Sequence, residues 1–73
     1  MLLDELKENQ TGYIASLNID GNFAKRLRDM GFCEGEEIKC IRRSALSSPV
    51  LYEVKGSRIA LRRDVNRKIE VIA

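Results

Sequence analysis

One stretch of this chain, residues 22–35, carries the spacing of an amphipathic helix, and most of the chain beyond it alternates with the period of a strand. Asn22 can cap the helix by accepting a first-turn backbone N–H on its side-chain oxygen. Phe23, Leu27 and Met30 fall at i, i+4 and i+7 on one helical face, and Ala24 widens it. Lys25, Arg26, Arg28 and Asp29 fall on other sides, toward water. Gly31 comes directly after the last periodic residue. Many helices end there in a left-handed C′ residue, a conformation that glycine adopts most cheaply. Phe32, at C″, is placed to fold back on the helix end. Glu34-Gly35 reads as a second turn that launches a strand.

Around that stretch the chain is a series of short segments. Leu3-Asp4-Glu5-Leu6 reads as a single helical turn that brings Leu3 and Leu6 to the core. Residues 9–12 read as a loop and residues 13–19 as a strand with Ile14 inward. Residues 37–42 alternate, with Ile38 and Cys40 on one face. Residues 44–49 form a loop whose exit is fixed by Pro49. Val50, Tyr52 and Val54 then alternate with Leu51, Glu53 and Lys55. Residues 55–58 read as a hairpin turn, and Ile59 and Leu61 alternate with Arg58, Ala60 and Arg62. Residues 63–66 suit one short helical turn with Val65 inward. Residues 68–72 close the chain as a strand with Ile69 and Val71 inward. About five half-buried strands and one helix after the first predict a mainly β fold, a small antiparallel barrel formed by residues 1–73 as one domain. The helix would plug one open end through Phe23, Leu27 and Met30. A flat sheet of this size would leave long unpaired edges and an uncovered apolar face.

Composition narrows the chemistry. A chain of 73 residues buries a small core and has little room for a deep catalytic cavity. Its 44% hydrophobic and 33% charged residues fit a folded chain, and no apolar run is long enough to span a bilayer. Met1-Leu2-Leu3-Asp4-Glu5 lacks the basic start of a signal peptide, so the cytoplasm is the expected compartment. There is no histidine, which excludes Ser–His and Cys–His dyads and imidazole metal ligands. The isolated glycines make no phosphate cradle and the carboxylates are scattered, so no enzyme is read here. Cys33 and Cys40 form no CxxC pair and read as small buried hydrophobes. No cofactor and no metal site are expected, short of a dimer that shares the thiols. Fe²⁺ favours imidazole and carboxylate ligands, so tight iron binding is not expected either.

A net charge of +2 makes no overall case for nucleic acid. Phe23 and Phe32 read as buried, which leaves only Tyr13 and Tyr52 as aromatics that could stack on bases. The basic residues cluster at Lys25, Arg26 and Arg28, at Arg42-Arg43, at Arg62-Arg63 and at Arg67-Lys68. They serve either as solubilising charge or as a surface for an acidic partner.

The run Lys25-Arg26-Leu27-Arg28-Asp29-Met30-Gly31-Phe32-Cys33-Glu34-Gly35 resembles the signature of the ferrous iron transport protein A (FeoA) family. That signature has a basic pair, Leu, then Leu or Met, Gly, an apolar residue, commonly Pro, and Gly. Glu34 stands at the Pro position. The resemblance continues through residues 38–43, the loop to Pro49, Ile59-Ala60-Leu61-Arg62, Val65 and Ile69-Glu70-Val71. Leu27, Met30, Gly31, Phe32, Gly35, Ile59 and Leu61 are its structural signature here. The resemblance implies an SH3-like barrel. It also implies a non-enzymatic cytoplasmic accessory of ferrous iron uptake, docking on the cytoplasmic G-domain part of the FeoB transporter. The family motif brings no catalytic residues and no contact surface with it. The candidate surfaces are the outer helix side (Lys25, Arg26, Arg28) and the loop with Leu46 and Pro49. That loop departs from the family pattern, with Ala45 where its first Pro is expected and Ser47-Ser48 in place of Gly-Asp. The same domain type occurs as a regulatory module in metal-responsive repressors, but this chain has no helix-turn-helix and starts at its own Met1. A small nucleic-acid-binding barrel is the third reading. A homodimer, through edge strands or a shared cysteine, stays open.

Overall fold

Five short strands pair into one antiparallel sheet in the computed structural model, which describes residues 1–43 and 49–73. In chain order a 3-10 turn (Leu3–Glu5) precedes β1 (Thr11–Leu17), α1 (Gly21–Asp29), β2 (Glu37–Arg42), β3 (Val50–Val54), β4 (Ser57–Leu61), α2 (Arg63–Asn66) and β5 (Ile69–Ile72). The spatial order is β4-β3-β2-β1-β5. The first strand is shared: Thr11, Gly12 and Tyr13 pair with β2, while Tyr13 to Leu17 pair with β5. The expected mainly β architecture, with one short helix after the first strand, is the one observed.

Two bulges bend this sheet around its core. Ile14 pairs with Val71 and Ser16 with Glu70, so Ala15 is the extra residue of β1. Cys40 pairs with Tyr52 and Arg42 with Leu51, which makes Ile41 the extra residue of β2. A bulge adds twist and shifts the side-chain phase by one. That shift puts both Ile14 and Leu17 inside although they are an odd number of positions apart. The core they join contains Leu3, Leu6, Phe32, Ile38, Cys40, Val50, Tyr52, Val54, Leu61, Ile69 and Val71, with Ile59 and Val65 packed half-buried at its margin.

The helix departs from expectation on one side. Leu27 is fully buried and Ala24 nearly so, but Phe23 is 40% and Met30 39% exposed. At about 100° per residue, the direction midway between Ala24 and Leu27 lies some 70–90° from Phe23 and Met30. These two therefore run along the rim of the helix and do not plug the barrel; of the large side chains in α1, only Leu27 is in the core. The helix also starts at Gly21, with Asp20 extended in the N-cap position and making no side-chain capping bond, so Asn22 lies inside the first turn and does not cap. Its C-terminus agrees with expectation. Gly31 has φ +104°, the Phe32 N–H donates to the Leu27 carbonyl at 2.9 Å and the Gly31 N–H to that of Arg28 at 3.0 Å. This is the paired-bond stop that a left-handed C′ residue permits, and it delivers Phe32 to the core.

Other corrections are smaller. Thr11 and Gly12 belong to β1 and not to a loop. Gly12 is buried, and a Cβ there would stand 3.0 Å from the Ile72 carbonyl oxygen. Tyr52 is buried, and its hydroxyl lies 3.4 Å from the Leu3 carbonyl oxygen that accepts its bond. It offers no ring to a ligand, while Tyr13 is 53% exposed. The short α2 buries Asn66 completely, more than Val65; its Nδ2 donates to Leu61 O at 3.4 Å. Among the described residues no helix is long and apolar enough to cross a membrane.

Candidate docking surface

Of the basic pairs in the sequence, the structure commits one set to the fold. Arg43, Arg63 and Arg67 converge on Asp4 from the end of β2, from α2 and from the residue after it. Arg43 Nη2 lies 3.4 Å and Arg63 Nη1 3.2 Å from Asp4 Oδ1, and Arg67 Nε lies 3.9 Å from Oδ2. Arg43 also donates through Nη1 to the Leu6 carbonyl at 2.8 Å, and its backbone N–H donates to Glu8 at 3.1 Å. These contacts staple the N-terminal turn to β2 and α2. Nothing in residue spacing signals them, because the partners lie some forty to sixty positions apart in the chain.

The second set is free of such work. Lys25 and Arg26 project from α1 into solvent and pair with no carboxylate among the described residues. Arg28 lies 3.9 Å from Glu34, both about half exposed, an arrangement that contributes little stability. Arg26 stands one turn from Phe23 and from Met30, so the outer side of α1 combines exposed apolar surface with positive charge. Sequence reasoning placed the cations correctly and missed their apolar neighbours. Pro49 is exposed immediately before β3; Leu46 lies outside the described residues.

The signature residues act by building the fold. Leu27, Phe32 and Leu61 are in the core, Ile59 packs against it, Gly31 and Gly35 take positive φ, and Met30 ends the helix at the surface. Neither cysteine belongs to a metal-ligating cluster: among the described residues no three His, Cys, Asp or Glu side chains are grouped to hold an ion. Cys40 is fully buried, and burial pushes its thiol above the ordinary range. Cys33 is half-buried, with its thiol 3.6 Å from the Arg28 carbonyl. Thiolate character and access control thiol chemistry. Brief alkylation of the folded protein is therefore expected to add one group, at Cys33, by peptide mass mapping, and a second at Cys40 only in denaturant. Equal labelling of both in the folded state would contradict the packing of β2.

The family model of the FeoA domain matches residues 1–73. The chain belongs to the FeoA family. A relative in Porphyromonas gingivalis, the Fe(2+) transport protein A/Fe(2+) transporter FeoB fusion protein, is 35% identical over 71 residues, 97% of this chain and 8% of that protein. This chain thus spans only a small part of that relative. The solution structure of iron(II) transport protein A from Clostridium thermocellum superposes with a TM-score of 0.90 at 30% identity, over 100% of this chain and 45% of that one. The Stenotrophomonas maltophilia FeoA, crystallised with zinc and described as an SH3 domain protein, gives a TM-score of 0.82 at 31% identity, over 97% of this chain and 88% of that one. The SH3-like architecture implied by the sequence resemblance is therefore the fold of this chain.

Proposed function

We propose that this FeoA-family chain is a non-enzymatic accessory module of ferrous iron uptake. In this reading it acts in the cytoplasm and docks on the cytoplasmic G-domain part of a FeoB transporter, with residues 1–73 working as one domain. The observation that carries the proposal is the fusion relative, in which a segment matching 97% of this chain is joined to FeoB in one polypeptide. A covalent link holds two partners at high effective concentration. A FeoA domain carried on a chain apart from FeoB would recover that proximity by binding.

The outer side of α1 suits such binding. Protein interfaces combine apolar anchors with charge complementarity that steers encounter. Phe23 and Met30 supply the first here and Lys25, Arg26 and Arg28 the second; Pro49 and Leu46 belong to the second candidate surface. Nucleic acid has no part in this reading: the net charge is only +2, and Arg43 and Arg63 are already engaged with Asp4.

Titration of the chain with the isolated cytoplasmic domain of the cognate transporter, with and without guanine nucleotide, tests the proposal. Saturable association is expected, and the double substitution Lys25→Glu/Arg26→Glu is expected to weaken it by about tenfold or more. Both residues are exposed, so the variant keeps the wild-type circular dichroism spectrum. Absence of association in every nucleotide state would overturn the docking role. Unchanged affinity in the double variant would move the contact away from α1.

A further inference from the structure

The two edges of the sheet are treated differently. The outer edge of β5 is occupied by the chain's own first residues. The Met1 amino group donates to the Val71 carbonyl at 3.0 Å, the Val71 N–H donates to the Met1 carbonyl at 2.8 Å, and Leu2 bridges Glu70. Among the described residues the outer edge of β4 has no such cover. Lys55 and Gly56 form the two-residue turn of the β3–β4 hairpin, with φ of +51° and +79°. Such a turn makes Val54 and Ser57 a hydrogen-bonded pair, and the ladder then alternates. In the observed register Ser57, Ile59 and Leu61 direct their backbone groups at β3, whereas Arg58 and Ala60 direct theirs away. Both residues are exposed, and among the described residues no backbone hydrogen bond from another segment reaches either of them.

We infer that the free edge of β4 is a docking site for an extended acidic segment of a partner protein, added beside β4 as a further strand. Strand addition takes its affinity from main-chain hydrogen bonds and its specificity from alternate side chains. Here the exposed side chains are Arg58 and Ala60 on β4 and Arg62 one residue beyond it, where the Arg62 carbonyl accepts from Val65 and Asn66 of α2. Arg58 shares its charge with Glu53, 3.0 Å away across the hairpin. Arg62 meets no carboxylate among the described residues. The small Ala60 between them leaves room for a neighbouring strand to lie close.

A second copy of this chain is the wrong occupant on charge. Antiparallel self-pairing centred on Ala60 sets Arg58 directly opposite the Arg62 of the other copy, twice. Centring it on Ile59 puts Arg58 diagonal to the other copy's Arg58 and Arg62. Like charges facing each other across strands destabilise a pair, and opposite charges stabilise it. An incoming strand with carboxylates at alternate positions meets the same two guanidinium groups favourably in either direction. This edge lies on β4 and not on α1, and it stands or falls independently of the transporter.

The test uses the whole chain at low salt and a synthetic eight-residue peptide alternating valine with glutamate, with the valine–lysine peptide as control. Saturable binding of the acidic peptide is expected, weakening as salt rises, together with slowed amide exchange at Arg58 and Ala60. Ala60→Pro removes an outward N–H that the fold does not use, a change tolerated on edge strands. It is expected to lower peptide affinity by at least about tenfold. Arg62→Glu, a surface change that leaves the backbone intact, is expected to do the same by about tenfold, and it carries the test should Ala60→Pro fail to fold. The inference is overturned if the acidic peptide does not bind, if the lysine peptide binds equally well, or if protection appears away from Arg58 and Ala60. It is also overturned if those amides become protected with rising protein concentration and no peptide, which would seat a second copy on the edge.

Discussion

Leu27→Ala is expected to reduce the unfolding free energy by about 2–5 kcal/mol, the range for truncating a fully buried leucine. Leu27 is 0% exposed and is the one large side chain that α1 sends into the core, since Phe23 and Met30 stay at the rim. Its carbonyl also accepts the Phe32 N–H that closes the helix. The cavity left by Leu27→Ala would open in the core that Phe32 also joins. A native domain holds only about 5–15 kcal/mol in total, so the variant should lose a large share of its stability. Urea denaturation followed by circular dichroism measures this directly. Phe23→Ala and Met30→Ala are the controls and should each cost less than about 1 kcal/mol, because partly exposed side chains lose little transfer energy. A midpoint for Leu27→Ala equal to wild type would mean that the helix does not pack inward.

Asp4→Ala is expected to cost about 2–3 kcal/mol, less than the 3–5 kcal/mol for breaking a fully buried ion pair. The Asp4 side chain is 18% exposed, and Arg43 and Arg63 are 24% and 20% exposed. Removing the carboxylate leaves two largely buried guanidinium groups facing one another, and Arg63 Nε already has no hydrogen-bond partner. The loss should appear first where the N-terminal turn meets α2 and β5. Arg67→Ala is the internal control. Its side chain is 68% exposed and 3.9 Å from Asp4, so it should change stability by no more than about 0.5 kcal/mol. A double-mutant cycle of Asp4→Ala with Arg63→Ala isolates the pair. A coupling energy near zero would reduce the cluster to ordinary surface charge.

The fold was legible because its instructions are local. Alternation in residues 50–54 and 68–72, the hairpin turn expected in residues 55–58 and the stop at Gly31 each arise from neighbouring residues and backbone sterics; the structure has the two strands and the stop, and it tightens the turn to Lys55-Gly56, with Ser57 and Arg58 already in β4. The candidate surface was legible in part. Polar residues of a helix can be assigned to water from spacing alone, and Lys25 and Arg26 lie where spacing put them. Whether an apolar residue at the margin of the stripe is buried depends on what stands opposite, and for Phe23 and Met30 nothing in the chain order reveals that. The loop residue Leu46 lies outside the described residues, so the second candidate surface rests on Pro49 alone.

By itself the sequence determined the strand and helix content, the left-handed stop at Gly31 that turns Phe32 inward, and the family to which the chain belongs. These depend on periodicity and on backbone conformations that only particular residues reach cheaply. The tertiary structure alone decided which cations are spent on Asp4 and which stay at the surface, because those contacts join residues far apart in the chain. It alone decided that bulges at Ala15 and Ile41 curl the sheet. It also decided that the N-terminal residues cover one sheet edge while, among the described residues, no segment pairs with the outer side of β4. An edge is defined by what does not pair with it, and only the folded arrangement of all five strands supplies that.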